Sequence, residues 1–508
     1  MNHTAGIIPS FAITYFIPLN PNPFKNTYFD LGRDFYQAIK PTPVRKPELF
    51  VFNQALNEEL GLGESSLGSA NAALYSGNEL PEGAAPLAMA YSGHQFGHFN
   101  PQLGDGRAIL IGQVVTPQGR SVDIHLKGTG RTAFSRNGDG RAALGPVLRE
   151  YLVSESMARL GVPTTRALAA VTTGEEVIRE QMLPGGIITR VGSSFVRIGT
   201  FEYFLARRDV ASIARLADYM IEHHYPQLKA TANPYLGLLD AVIEGQAALI
   251  AQWMQLGFIH GVMNTDNVSI ACETIDYGPC AFMDHFAHDR VFSSIDHHGR
   301  YAYNNQANIG LWNLSRLAEC LLPLIDSDTG TAVATAQEHL ETYIDAYQHH
   351  WLTGMRKKIG FNTAHDDDKA LIEQLFDHMA RNHVDFTLTF YHLSLLDQDV
   401  ADDAAIIALF DQDEAFVQWL EQWRQRLQQE GSHDDQRKRS MRQVNPVYIP
   451  RNHLVEAAIR AAEDDNDFSV FHALHEVLQQ SFELQPGKDA YMQPPQPHEV
   501  VHKTFCGT

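Results

Sequence analysis

Residues 257–278 constrain this chain more than any other stretch. They read GFIHGVMNTDNVSI, then ACET, then IDYG. His260 stands seven residues before Asn267, and Asp276 opens an Asp-Tyr-Gly turn shortly afterwards. An amide oxygen and a carboxylate on neighbouring loops are the hard ligands that Mg²⁺ takes when phosphate oxygens complete its shell. Loops of this pattern carry an acid two residues after the histidine, but here that position is Val262. A carboxylate returns only at Asp266, directly before Asn267, where it is free to take a proton from a hydroxyl. The pattern keeps its metal ligands and relocates its base. The plainer alternative is an Asn-Thr-Asp-Asn turn whose side chains cap their own backbone.

The flanking sequence changes texture on either side of this loop. Residues 1–85 read as an N-terminal extension ending in a short amphipathic helix. From Gly104 to Phe201 the chain is β-rich, with strands at 108–115 and 121–126 around a Pro117-Gln118-Gly119 turn. A helix starts at Gly145-Pro146 and stops at Gly161-Val162-Pro163. Strands follow at 166–171, 176–180, 187–191 and 195–201. Apolar residues at three- and four-residue spacing then predict helices over 210–224, 235–256, 306–325, 331–358 and 367–396. The acidic run 411–439 reads as solvated helix and linker, and the tail after Pro486 as an extended strap. A small β-rich lobe (86–203), a large helical lobe (204–410) and a C-terminal extension (411–508) follow the order of a bilobal, protein-kinase-like α+β fold.

Other motifs fit that order. Lys127 ends the strand VDIHLK and Glu150 lies in the next helix, the arrangement in which a helix glutamate steers a strand lysine toward phosphates. Gly104 and Gly106 allow close backbone approach to a phosphate, and Arg107 adds a forked cation, although Asp105-Gly106 is also an ordinary turn. The glycine-rich segment 130–145 precedes a helix and offers Asp139 and Gly140 to a nucleotide, unless it is only a connector. Arg190 and Arg197 would neutralise a triphosphate if both point inward, and would be surface residues of a hairpin if they do not. His285, His288, His297 and His298 cluster after the Asp276 turn, yet their spacing matches no strong zinc motif.

Composition narrows the classes further. A chain of 508 residues with 44% hydrophobic and 19% charged residues is a folded protein of more than one structural unit. Its net charge of −21 argues against nucleic-acid partners, which demand a positive surface. The four cysteines form no C-x-x-C pair, which suits a reducing, cytoplasmic setting. The apolar run 11–17 follows no basic residue and is too short to span a bilayer, so neither a signal peptide nor a membrane partner is expected.

The blocks AYSGHQFGHFNPQLGDGRA, HLKGTGRTAFSRNGDGRAALGPVLREYL, GFIHGVMNTDNVSI with IDYGP, HGRYAYNNQ and NPVYIPRNHL resemble the selenoprotein O family of protein adenylyltransferases. The likeness runs from about Phe29 to the C-terminus. It implies a kinase-like fold holding ATP in a flipped orientation and passing AMP, not the γ-phosphate, to Ser, Thr or Tyr hydroxyls of proteins. It also implies UMP transfer from UTP with Mn²⁺ in some bacterial members. Matched residue by residue, it gives nucleotide contacts at Gly104, Gly106, Arg107, Lys127, Asp139, Gly140, Arg190, Arg197 and Asp276. Asp266 matches the proton acceptor, Asn267 and Asp276 the Mg²⁺ ligands, and Glu150 the partner of Lys127. Cys506 matches a C-terminal redox residue, but its usual partner is missing from Arg290-Val291-Phe292-Ser293-Ser294, leaving Cys280 as a substitute.

Competing readings are a γ-phosphate kinase using Asp266 as base, a nucleotide-binding pseudokinase scaffold, and a metallohydrolase built on the histidines.

Overall fold

The computed structural model describes residues 24–63, 70–397, 403–431 and 433–504. The apolar run 11–17 and Cys506 lie outside the described residues. The first half contains strands β1 (Tyr36–Ala38) and β2 (Glu48–Phe52), helices α1 (Gln54–Glu59) and α2 (Ala72–Tyr75), and strands β3 (Leu87–Met89), β4 (Gly93–Gln95), β5 (His98–Asn100), β6 (Ala108–Val115), β7 (Ser121–Lys127) and β8 (Ala142–Ala143). Helix α3 (Leu144–Arg159) and the long strands β9 (Arg166–Ile178) and β10 (Met182–Gly192) follow. The main sheet is antiparallel in the order β1-β3-β6-β7-β10-β9-β2, with β8 attached to β10. Two of its strands, β1 and β2, come from the segment expected to be an N-terminal extension.

Alternation along the strands divides this sheet into two jobs. Ile109, Ile124, Leu126, Val171 and Ile187 bury one face with Leu56 and Tyr75 of α1 and α2. Their neighbours Ala170 and Ile188 turn to the other face, under Leu148, Tyr151 and Leu152 of α3. Register places Arg190 opposite His125 and Ile188 opposite Lys127. Residues two apart share a face, so His125, Lys127 and Arg190 all project toward α3. Helices α14 (Asn452–Asp465) and α15 (Ser469–Leu478) cover α3 from outside, through Val455, Ile459, Phe471 and Leu474.

The helical half contains α4 (Ile198–Leu205), α5 (Val210–His223), α6 (Pro234–Leu256), α7 (Gln306–Ile325), α8 (Thr329–Lys358), α9 (Asp368–Arg381), α10 (Phe386–Leu393), α11 (Ala404–Leu409), α12 (Glu414–Gln428) and α13 (Asp434–Arg442). Helix α6 ends at Gly257, whose φ of +68° makes a left-handed cap. That cap turns the chain into β11 (Phe258–Ile259), which pairs with β12 (Ala281–Phe282) and brackets the loop of interest.

Four expectations need correction. The strand expected at 195–201 is extended only to Arg197, where it pairs with Ser269; from Ile198 the chain is helical, with Thr200 capping the Arg197 amide. The strand expected at 176–180 is the far end of β9, continuous from Arg166. The helix expected over 367–396 is two helices, because Asp385 leaves helical geometry to pair with His285 and cap α10 at Leu388. The run 411–439 is not a solvated linker. Phe416, Trp419, Leu420 and Trp423 form a buried helical stripe, and the two indoles donate to the carbonyls of Leu371 and Ile359 at 2.8 Å each. The tail is extended only in part: a 3-10 turn at Asp489–Tyr491 interrupts it before it reaches Thr504, which pairs with Ser293.

Candidate active site

Five charged side chains meet where the sheet faces the helical half. Lys127 Nζ lies 2.6 Å from Glu150 Oε2 and 3.2 Å from Asp276 Oδ1. Arg190 Nη1 reaches the same two carboxylates, at 3.3 Å and 2.8 Å. Arg197 Nη1 pairs with the other oxygen of Asp276 and donates to the Asp266 carbonyl at 2.6 Å. Both arginines point inward, and Arg190 is only 2% exposed. Burial alone would raise the Asp276 pKa, but Arg197, Lys127 and Arg190 outweigh it and hold the carboxyl well below the usual range. Asp276 adopts φ +62°, a conformation costly for a residue with a side chain, and this cluster of cations offsets that cost.

Two residues that the sequence reading did not single out align Arg190. Arg190 Nη2 donates to His125 Nδ1 at 2.8 Å, and His125 Nε2 donates to Asp105 Oδ2 at 3.1 Å. Burial lowers the His125 pKa to about 4, so the ring is neutral and its bonds assign the Nε2 tautomer. The signal was present in VDIHLK, where His125 is two residues from Lys127 and so shares its face.

The loop after β11 is tied to this cluster. His260 Nε2 donates to the Ile275 carbonyl at 2.9 Å, fixing the residue before Asp276. Asn267 Nδ2 donates to the Val262 carbonyl at 3.0 Å, which leaves its amide oxygen as the end available to a ligand. Asp266 is 7% exposed, and burial lifts its carboxyl to about 7 against the pull of Arg197. Gln95 Nε2 donates to Asp266 Oδ2 at 3.1 Å, whereas Oδ1 is buried without a hydrogen-bond partner.

The two glycine-rich segments form one layer at the strand ends. Gly104 has φ +96°, and a Cβ there would lie 2.4 Å from the Phe134 ring. A Cβ on Gly106 would lie 2.9 Å from the Phe134 carbonyl oxygen. Thr132 Oγ1 donates to the Asp105 carbonyl at 2.7 Å, and the Arg107 carbonyl accepts from Gly128 N at 2.7 Å. Gly140 has φ +70° and packs on Gly130. The Asp139 carboxylate is not in the ion cluster; it pairs with Arg179 at 2.9 Å from the tip of the β9–β10 hairpin. Cys506 falls outside the described residues, while Thr504 Oγ1 donates to the Pro279 carbonyl at 2.6 Å, beside Cys280.

The donor set fits a hard divalent cation held largely by its substrate. Asn267 and Asp276 offer one amide and one carboxylate, and among the described residues no three His, Cys, Asp or Glu side chains gather to hold a metal alone. No helix among the described residues is long and apolar enough to cross a membrane.

A β-rich lobe, a helical lobe and an ion cluster at their junction define a protein of kinase-like fold. Comparison with known proteins agrees, and the chain belongs to the family described as protein adenylyltransferase SelO, whose model matches residues 18–479. It is 56% identical over 486 residues to a protein nucleotidyltransferase YdiU of Rhizobium johnstonii, covering 96% of this chain and 97% of that one. The corresponding protein of Rhizobium meliloti is 56% identical over 485 residues, covering 96% and 99%. That of Rhodopseudomonas palustris is 55% identical over 487 residues, again covering 96% and 99%.

Proposed function

We propose that this protein transfers AMP from ATP to the Ser, Thr or Tyr hydroxyls of other proteins, with UTP as a second donor for UMP. The observation that carries the reading is the shared grip of Lys127, Arg190 and Arg197 on Asp276, beside a buried Asp266 with one unpaired carboxylate oxygen. Three cations around one carboxylate suit a triphosphate, whose oxygens take over part of their pairing. Glu150 holds Lys127 and Arg190 in place while that exchange occurs. The layer of Gly104, Gly106, Arg107, Asp139 and Gly140 receives the rest of the nucleotide.

In the reaction, the acceptor oxygen bonds to the α-phosphorus and the bond from that phosphorus to the bridging oxygen breaks. Pyrophosphate leaves with the electron pair, and the Asp266 carboxylate takes the hydroxyl proton. Lys127, Arg190 and Arg197 stabilise the charge that accumulates on the leaving group. Asn267 and Asp276 would hold Mg²⁺ or Mn²⁺, which when bound supplies further charge neutralisation on the phosphates. The choice of α- over γ-phosphorus is supported by the names of the relatives; the ion cluster alone would serve either. A cytoplasmic location completes the reading, because the substrates are ATP and intracellular proteins.

The test uses α-labelled and γ-labelled ATP in parallel, with Mg²⁺ or Mn²⁺ and a soluble protein extract as acceptor. Label retained on protein only from α-labelled ATP supports the reading. Retention of the γ label would make the protein a kinase, and no retention of either would leave a nucleotide-binding scaffold.

A further inference from the structure

The hairpin β4–β5 has no place in the nucleotide chemistry described so far, yet its first strand and turn, from Gly93 to Phe96, touch the loop of Asp266 residue by residue. Gly93 pairs with Asn100, His94 with Phe99 and Gln95 with His98, around a two-residue turn. Phe96 and Gly97 both have positive φ, +51° and +83°, the geometry of the tight turn that suits twisted strands. This hairpin lies outside the main sheet, so its position is set by what it grips.

What it grips is the loop of Asp266. The backbone N–H of His94 donates to Thr265 Oγ1 at 2.7 Å, and that of Phe96 donates to Asn264 Oδ1 at 3.0 Å. Tyr301 Oη donates to the same Asn264 oxygen at 2.6 Å. Thr265 Oγ1 in turn donates to Glu202, a buried carboxylate that also binds His94 Nδ1. Between these ties, Gln95 Nε2 donates to Asp266 Oδ2, and Gly93 packs so closely that a Cβ there would lie 2.5 Å from Asp266 Oδ1. A side chain at position 93 would collide with that buried oxygen and displace the carboxylate.

We infer that Gln95 is a positioning residue for the transfer reaction: its amide holds Oδ2 of Asp266 while Gly93 backs Oδ1, and together they fix the carboxylate in one orientation for proton transfer. The inference rests on Asp266 as the proton acceptor. Without a donor on Oδ2, the carboxylate loses one of the two contacts that set its χ2 torsion, which is broad for aspartate, and its orientation for proton transfer is less fixed. Gln95 makes no contact with Lys127, Arg190, Arg197 or Asp276 among the described hydrogen bonds, so its effect is separable from nucleotide affinity.

The test is steady-state transfer from α-labelled ATP to a soluble protein extract, with kcat and the KM for ATP measured separately for Gln95→Met and Gln95→Ala. A hydrogen bond to a charged group is worth roughly tenfold or more in such a rate. The expected result is therefore about a tenfold or larger fall in kcat, with the KM for ATP unchanged within twofold and Gln95→Asn recovering part of the loss. Either a kcat within twofold of wild type for Gln95→Met, or a loss carried by the KM for ATP, overturns the inference. Should the Gln95 variants fail to accumulate as folded protein, Gly93→Ala is read by the same split, and an unchanged kcat there refutes the seat of the hairpin on Asp266. Asp266→Asn is run alongside: if it remains active, the base assignment fails and the role of Gln95 fails with it. If Asp266→Asn is inactive while Gln95→Met is normal, only this inference falls.

Discussion

Asp276→Ala separates the electrostatics of the cluster from its metal chemistry. In the wild type one carboxylate neutralises parts of Lys127, Arg190 and Arg197, at 3.2 Å and 2.8 Å for the first two. Removing it leaves Glu150 to pair with Lys127 and Arg190 and leaves Arg197 without a salt-bridge partner among the described residues, and both arginines have almost no solvent contact. Breaking a buried pair costs about 3–5 kcal/mol, and the 19% exposure of the Asp276 side chain puts this case at about 3 kcal/mol. Unfolding entropy of roughly 2.1 cal/mol/K per residue converts that cost into a fall of about 3 °C in Tm for a chain of 508 residues. A polyanion supplies the missing charge. ATP in the presence of a chelator is therefore expected to bind the variant roughly tenfold more tightly than the wild type, because a negative charge a few ångströms from the phosphates has gone. It should also raise the variant's Tm more than the wild type's. Adding Mg²⁺ is expected to strengthen ATP binding to the wild type and to do nothing for the variant, which transfers no AMP. Calorimetric titration with and without Mg²⁺, paired with thermal unfolding, reads all of these. An unchanged Tm in the variant, or metal-free ATP binding weaker than in the wild type, would refute the cluster argument.

Three further outcomes follow from individual residues. Asp266 accepts a proton only when ionised, and burial lifts its carboxyl to about 7; the transfer rate should rise with pH toward neutrality and level off above it, whereas a flat profile from pH 5.5 to 8 would exclude Asp266 as the base. Lys358 is buried at the end of α8 over the Phe390 ring at 4.3 Å, and burial lowers its pKa from 10.5 to about 7. Between those values the unfolded chain binds more protons, so its contribution to stability rises with pH across that window. At about 1.4 kcal/mol per unit the cost at pH 7 is at most about 5 kcal/mol, and ring attraction returns about 2 of it, so Lys358→Met should stabilise by roughly 3 kcal/mol and flatten the rise in urea titrations. Gly140→Ala would place a Cβ 2.2 Å from the Gly130 carbonyl carbon at φ +70°; a loss of about 1–3 kcal/mol in urea unfolding and a higher KM for ATP are expected.

The ion cluster was legible because it is written in order along the chain. Lys127 on a strand, Glu150 on the next helix and Asn267 and Asp276 on a bracketed loop each occupy a position that local pattern assigns. The supports of that cluster were not legible, because they are contacts across long stretches of sequence. Gln95 and Asp266 are 171 residues apart, and nothing local to GHQFGHF says which carboxylate its amide will meet. Helix α12 is a different failure. Phe416, Trp419, Leu420 and Trp423 follow helical spacing plainly, but an acidic composition obscured a core helix. Arg197 shows tertiary structure overriding β-branched and aromatic propensity. Val196 and Ile198 hydrogen-bond to Ile270 and Val268 in the chain after Asn267, and the helix that follows packs Gly199 so close to the Ser92 carbonyl that no side chain fits there.

The two aspartates of the loop divide the chemistry through their surroundings. Both are desolvated, and desolvation pushes each carboxyl upward. At Asp276 three cations reverse that push, so the group stays ionised throughout the physiological range, which suits the ligand role proposed for it. At Asp266 Arg197 bonds the backbone carbonyl instead of the carboxylate, so the reversal is incomplete and the group is left near 7. A carboxylate near neutrality can take a proton from a hydroxyl and return it to water within one turnover. The same arginine therefore sets both roles: its guanidinium clamps one aspartate by the side chain and the other by the main chain.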